Sequence, residues 1–212
     1  MDIIGPDGNK SSIFAKHFFS SISLADFFQL LTPQDSEAIN NFAGSLQYRD
    51  HISVNLMVGR EKLFPDQWMY IHSPEFQLAR LANFNNFSSL LLGGRKGTAL
   101  AVEYFVSQGR GLSNATDEVL ENLAINELTR LGLLEAGEIE NAWVVREQKA
   151  YPTYNIGFKE PCNALKSRIA EFGNLSSIGR AGTHTYNNQD DAMMSGILSA
   201  RKYLSNNPYN FL

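Results

Sequence analysis

The stretch LSSIGRAGTHTYNNQDDAMM, residues 175–194, leaves a short apolar segment, crosses a glycine-rich polar turn and enters an apolar-faced helix. Leu175 to Ile178 reads as a strand, and about Asp190 to Leu204 as the last helix. Gly179 and Gly182 lack a Cβ and so permit close backbone approach to something bulky. A helix start offers unpaired N–H groups and a positive dipole end, which suits phosphate or another electron-rich group. Arg180 adds a planar fork of donors for a phosphate or carbonyl oxygen. The same residues also read as a polar turn capping a helix with Asp190. Local chemistry does not separate these two readings.

Working outward, the preceding helix runs from Pro161 to Phe172, with proline early and Gly173 just past its end. Before it, Ala142 to Val145 reads as a strand. The clearest helix lies in the middle of the chain. Thr116 can cap it, Asp117 and Glu118 suit its first turn, Val119, Leu120, Leu123, Leu128 and Leu131 form its apolar stripe, and Gly132 can end it. Thr98 to Val106 is rich in β-branched and aromatic residues, as strands prefer. His51 to Val58 alternates in part, and Trp68 to His72 with Phe76 to Phe84 flank the turn Ser73-Pro74. Helices are expected from Leu24 to Leu31, stopping before Pro33, and from about Gln34 to Leu46. At the start, Asp2 to Ile4 and the apolar stretch Ile13 to Phe19 are expected to form a hairpin through Gly5-Pro6-Asp7-Gly8. Helices and strands interleave irregularly, and several strands look like antiparallel neighbours. This predicts an α+β fold, a mixed β-sheet covered by helices.

Composition narrows the function classes. Of 212 residues, 43% are hydrophobic and only 19% charged, and net charge is −4, so no basic footprint for nucleic acid is present. One cysteine, Cys162, excludes an internal disulfide and a cysteine-based zinc cluster. No apolar run reaches the roughly 20 residues of a membrane span, and a soluble, cytoplasmic protein without metal is expected. Gly109-Arg110-Gly111 lacks the third glycine of a dinucleotide fingerprint, since Asn114 stands there. Gly93-Gly94-Arg95-Lys96-Gly97-Thr98 has phosphate-loop residue types in the wrong order and reads better as a turn between strands. His17, His51, His72 and His184 are scattered, with no partner at metal-ligand spacing. Cys162, near a helix start, reads as a structural thiol.

The Gly179–Met194 stretch resembles the C-terminal flavin-binding motif of FAD-dependent oxidoreductases of the amine oxidase and protoporphyrinogen oxidase superfamily, and is most similar to the UDP-galactopyranose mutase-like branch. Ser20-Ser21-Ile22-Ser23-Leu24 resembles that branch's Ser-Ser-x-Pro-Leu, with Ser23 in place of proline. Tyr48-Arg49-Asp50, the run Phe64 to His72, Glu103-Tyr104-Phe105 and the run Lys149 to Tyr154 follow in the family's order. Nearly the whole chain is covered. Several collinear motifs together are specific where any one would be weak.

The resemblance implies a C-terminal portion of a flavoenzyme, without the Gly-x-Gly-x-x-Gly segment that holds the ADP half of FAD. Residues 1–172 would form a substrate-domain-like region, and residues 173–212 the C-terminal edge of a discontinuous FAD-binding domain. Gly179, Arg180 and Gly182 would approach the flavin and its phosphates. Tyr186, Asn187 and Asp190 would lie near the ribityl chain or ring, with Ala192 and Met193 presenting helix-start amides to the ring. Arg49, Trp68, Tyr70, His72, Arg80, Asn83, Glu103, Tyr151 and Tyr154 are the substrate-side candidates. FAD binding by this chain alone is expected to be weak or absent, so that it purifies colourless. Three classes of function stay open: part of an FAD-dependent oxidoreductase, a redox-neutral flavoenzyme acting on a nucleotide sugar, and a non-catalytic domain that associates with a separate chain. A small molecule is the expected substrate. Self-association is expected through the surface that the missing domain would cover.

Overall fold

The computed structural model describes residues 1–31 and 34–206. The strands are β1 Asp2–Ile4, β2 Lys10–Ser12, β3 Phe18–Ser20, β4 Gln47–Val58, β5 Trp68–Tyr70, β6 Arg80–Asn83, β7 Thr98–Val106, β8 Ile139–Thr153 and β9 Leu175–Ser177. The helices are α1 Leu24–Leu30, α2 Glu37–Ser45, α3 Phe84–Phe87, α4 Asp117–Arg130, α5 Lys159–Glu171, α6 Gly179–Thr183 and α7 Gln189–Asn206. Helices and a mostly antiparallel sheet make a mixed α/β molecule. The chain divides into two units: Met1–Gln47 with Pro152 onward, and Tyr48–Tyr151.

The unit Tyr48–Tyr151 is built on a five-stranded sheet of order β5-β6-β7-β4-β8. In β4 the alternate residues Ile52, Val54, Leu56 and Val58 are all buried. Residues facing each other across antiparallel strands share a face, so Ile52 opposite Tyr104 and Val54 opposite Val102 build one apolar layer. Leu120, Ala124 and Leu128 of α4 close that layer from above. Thr116 caps α4, its Oγ1 accepting the Val119 amide at 3.4 Å, and Gly132 takes a φ of 69° just after the end. Val119 does not belong to the buried stripe; it is 52% exposed, because the burying face is the Leu120–Ala124–Leu128 row.

One buried charge organises this core. Glu127, on the inner face of α4, accepts the amides of Gln77 and Leu78 at 2.5 and 3.2 Å and the Tyr104 hydroxyl at 2.9 Å. Burial and the neighbouring Glu127 carboxylate both push the Tyr104 phenol far above its ordinary value, so it stays a donor. With Glu127 holding 77–78 as a loop, the strand expected over Phe76–Phe84 is confined to Arg80–Asn83.

In the other unit, β1 and β2 form a hairpin with Ile4 opposite Lys10. The return strand is therefore the polar Lys10–Ser12 and not Ile13–Phe19, since the chain turns back at once after Gly8, whose φ is 79°. Phe18–Ser20 instead pairs in parallel with Leu175–Ser177. Ser23 caps α1 through the Asp26 amide, and Ser36 caps α2 through the Ile39 amide. Pro33, expected to stop α1, lies outside the described residues. Arg168 of α5 donates to Asp35 at 2.7 Å and ties that helix to the start of α2.

Three further expectations change. The segment Gly179–Thr183, read as an open turn, is one helical turn: Gly179 takes a φ of 72°, and Thr183 donates its hydroxyl back to the Gly179 carbonyl at 2.7 Å. Strand β8 is far longer than Ala142–Val145. It is the edge strand of its sheet, where the polar run Arg146–Lys149 is tolerated. The loop Gly93–Thr98 follows α3 rather than a strand, and Asn85 holds it through the Gly97 carbonyl at 2.7 Å. Among the described residues, no helix is long and apolar enough to cross a membrane.

Candidate functional site

Two clusters carry the chemistry, one in each unit. The first covers the sheet face opposite the core of Tyr48–Tyr151. Arg80 stands opposite Glu103, and Tyr70 opposite Arg80, so the register puts these three side chains on one face. Glu103 Oε2 receives Arg80 Nε at 2.8 Å and meets His51 Nε2 at 3.0 Å. Trp68, His51 and Phe105 share the face by strand register, and Arg49 does so by alternation. The rings form a nearly continuous surface. Trp68 meets Tyr70 at 5.3 Å, Tyr70 stacks on His72 at 5.9 Å, and Tyr151 meets Phe105 at 5.3 Å. Burial works to raise the Glu103 pKa, but the His51 and Arg80 hydrogen bonds and charges outweigh it and hold the carboxyl below the usual range. The face is thus a fixed anion and a cation amid half-exposed aromatic rings, suited to a polar, ring-bearing small molecule.

Two members of the substrate-side set lie elsewhere. Asn83 stands opposite Leu100 on the buried face, with its amide donated to the Phe64 carbonyl at 3.4 Å. Tyr154 belongs to the other unit. His51 was not singled out by its sequence context. It lies 52 residues from Glu103, and only the β4–β7 register, invisible in local sequence, joins them.

The second cluster follows β9. Gly179 donates its amide to Ser195 Oγ at 2.8 Å, and a Cβ there would meet nothing within 4 Å. Gly182 differs: a Cβ would lie 2.8 Å from Ser177 Oγ and 2.9 Å from the Ser20 carbonyl. Its small size therefore serves the packing of α6 on β3 and β9. The Arg180 guanidinium donates to the Asn187 carbonyl and sits 5.2 Å from the Tyr186 ring centre, bracing the loop between α6 and α7. Tyr154 accepts the Tyr186 amide at 2.6 Å and stacks on Phe158 at 4.4 Å. Asn187 Oδ1 is buried, and among the described residues no donor reaches it. Asp190 and Met193 are exposed at the start of α7, where Ala192 donates its amide to Asn188 as the helical ladder begins. An open glycine, an unanswered buried oxygen and a helix start fit the ring side of a flavin.

Helix α7 has no fully buried residue; Met193 is 64% and Leu198 54% exposed. Strand β9 pairs only with β3 among the described residues. Cys162 is buried in α5. Among the described residues, no group of three or more His, Cys, Asp or Glu side chains is placed to hold a metal ion.

Acid should weaken the fold. Burial, aided by the Lys166 charge and opposed by a backbone hydrogen bond at Thr153, lowers the His184 pKa to about 4. Its unfolded value is about 6.5, so the unfolded chain takes up the proton first and stability falls as pH drops from about 6.5 to 4. Glu103 acts in the same direction lower down, since a depressed carboxylate loses its contribution as pH falls through its folded pKa. Urea unfolding followed by circular dichroism should show a loss on the order of 2 kcal/mol between pH 6.5 and 4. Unchanged stability across that window would contradict the burial of a neutral His184.

No family model matches this sequence, and no curated protein matches it. Solved structures do match the fold. The chain superposes on reduced UDP-galactopyranose mutase with a TM-score of 0.77 and 18% identity, over 96% of this chain and 44% of that one. It superposes on a protein from Exiguobacterium sp. 255-15, assigned as a protoporphyrinogen oxidase, with a TM-score of 0.67 and 15% identity, over 89% of this chain and 41% of that one. The chain thus spans less than half the length of either neighbour and shares their fold.

Proposed function

We propose that the chain is a C-terminal portion of an FAD-dependent oxidoreductase. Residues 173–212 supply the C-terminal edge of an FAD-binding domain, and residues 1–172 the substrate-domain-like region. The observation that carries this reading is the segment after β9, where Gly179 stands open, Asn187 Oδ1 is buried with no partner among the described residues and α7 begins at Gln189. Gly179 and Arg180 shape the approach to the cofactor, while Gly182 packs the α6 turn that carries them. Tyr186, Asn187 and Asp190 lie along its ribityl chain or ring, and Ala192 and Met193 stand at the helix start beside it. When bound, FAD carries hydride or electrons, while the protein contributes placement and electrostatics. Arg49, His51, Trp68, Tyr70, His72, Arg80, Glu103 and Tyr151 form the substrate face. The second reading is a redox-neutral reaction on a nucleotide sugar, supported by the fold shared with UDP-galactopyranose mutase. The exposed Met193, Met194, Ile197 and Leu198 support self-association over α7.

Asn187→Ala tests the cofactor assignment. Among the described residues Asn187 Oδ1 satisfies no donor, so its loss should leave the urea midpoint almost unchanged while weakening FAD binding about fivefold to tenfold in equilibrium dialysis. A variant that loses stability yet keeps its flavin affinity would place Asn187 in the packing and remove it from the site.

A further inference from the structure

A cleft of about 930 Å³ opens within the unit that carries α5 and α7, and none of the residues assigned above to the flavin lines it. Two helical stripes form its walls. Lys166, Ile169, Ala170 and Gly173 follow the i, i+3, i+4, i+7 spacing of one face along and just past α5. Ser199, Lys202, Tyr203 and Asn206 repeat that spacing on α7. Residues 175–177 of β9 line it too, as do Lys16 and His17, just before β3, and Thr183 and Thr185, at and just past the end of α6. The His17 ring contacts Ser176 Oγ at 2.9 Å and the Tyr203 ring at 4.8 Å, so this rim is ordered by side-chain contacts.

Its composition is unusual for this molecule. Facing helices normally bury apolar stripes, yet the α7 stripe here is serine, lysine, tyrosine and asparagine, while Met193, Met194, Ile197 and Leu198 lie exposed. Three lysines line the cleft in a chain whose net charge is −4, and among the described residues no Asp or Glu lines it. The Lys166 charge is felt at the buried His184 imidazole, which stays neutral beside it. Lysine ammonium groups with several hydroxyls nearby suit an oxyanion of high charge, since each N–H donor to a phosphate oxygen forms a charge-assisted hydrogen bond.

We propose that this cleft is a binding site for the phosphate or diphosphate group of a small molecule, held by Lys166 and Lys202 with Lys16, Ser176 and Ser199 around them. The site borders the flavin segment at Thr183 and Thr185 but uses none of the residues assigned to the cofactor, so its test reads out independently of that assignment.

Isothermal titration of the full chain with orthophosphate and with pyrophosphate, against sodium chloride at matched ionic strength, tests it. Saturable one-to-one binding is expected, with the tighter arm showing whether one phosphate or two are read. Lys166→Gln combined with Lys202→Gln should weaken binding by about tenfold or more. Asn187→Ala should leave it unchanged, which separates this site from the flavin segment. Amide shifts in isotope-labelled protein should centre on Ser176, Ser199 and Lys202. Heat that chloride reproduces, or affinity that survives the double substitution in a protein whose circular dichroism is unaltered, would overturn the proposal.

Discussion

Replacing Glu127 by alanine should cost about 3–5 kcal/mol, the largest single-residue loss expected in the unit Tyr48–Tyr151. The carboxylate is 2% exposed and answers the Gln77 and Leu78 amides and the Tyr104 hydroxyl. Removing it orphans those donors inside the core, and each unsatisfied buried donor costs about 1–3 kcal/mol. Glu127→Gln keeps an acceptor oxygen but turns an NH2 toward a donor, so an intermediate loss is expected. Tyr104→Phe removes one donor and leaves the two backbone bonds in place; about 1 kcal/mol follows. Urea titrations by circular dichroism order the three variants. A Glu127→Ala loss below 1 kcal/mol would mean that the loop at 77–78 is held by packing alone.

Gly182→Ala should destabilise the other unit by about 2–3 kcal/mol, as overpacking against fixed atoms does. The added Cβ would fall 2.9 Å from the Ser20 carbonyl and 2.8 Å from Ser177 Oγ, and the first of these is backbone held in the β3–β9 pair. Gly179→Ala offers the contrast. Space there is open, and only the φ of 72° resists, which costs a non-glycine residue about 1–2 kcal/mol. If Gly182→Ala were the milder change, the packing of α6 would have been misassigned. The two glycines, one packed and one open, also divide what looked like one motif in sequence. Gly182 belongs to the fold, and Gly179 is the one that leaves room for a ligand.

Sequence reading reached furthest where local signals agreed. Thr98–Val106 is a strand at the expected bounds, and α4 begins at the expected Thr116 cap, because composition, spacing and capping all pointed the same way. It failed where a partner distant in sequence decides. Lys10–Ser12 is a strand only because Asp2–Ile4 lies opposite, and β8 extends through Arg146–Lys149 because an edge strand tolerates polar side chains. The sheet-face cluster was legible in parts. Trp68, Tyr70, Glu103 and Tyr151 stand in the quoted motifs and Arg80 among the substrate-side candidates outside them, but His51 entered only through strand register. Asn83 shows the reverse, since a one-residue step along β6 turns its side chain to the buried face.

The central claim is that the segment after β9 receives the ring side of a flavin, and the most direct measurement is an amide-resolved titration of isotope-labelled protein with FAD. The account predicts weak, saturable binding, with shifts concentrated at Gly179, Arg180, Tyr186, Asn187 and Asp190 to Met193. Saturable shifts centred elsewhere, or none at millimolar FAD, would contradict it.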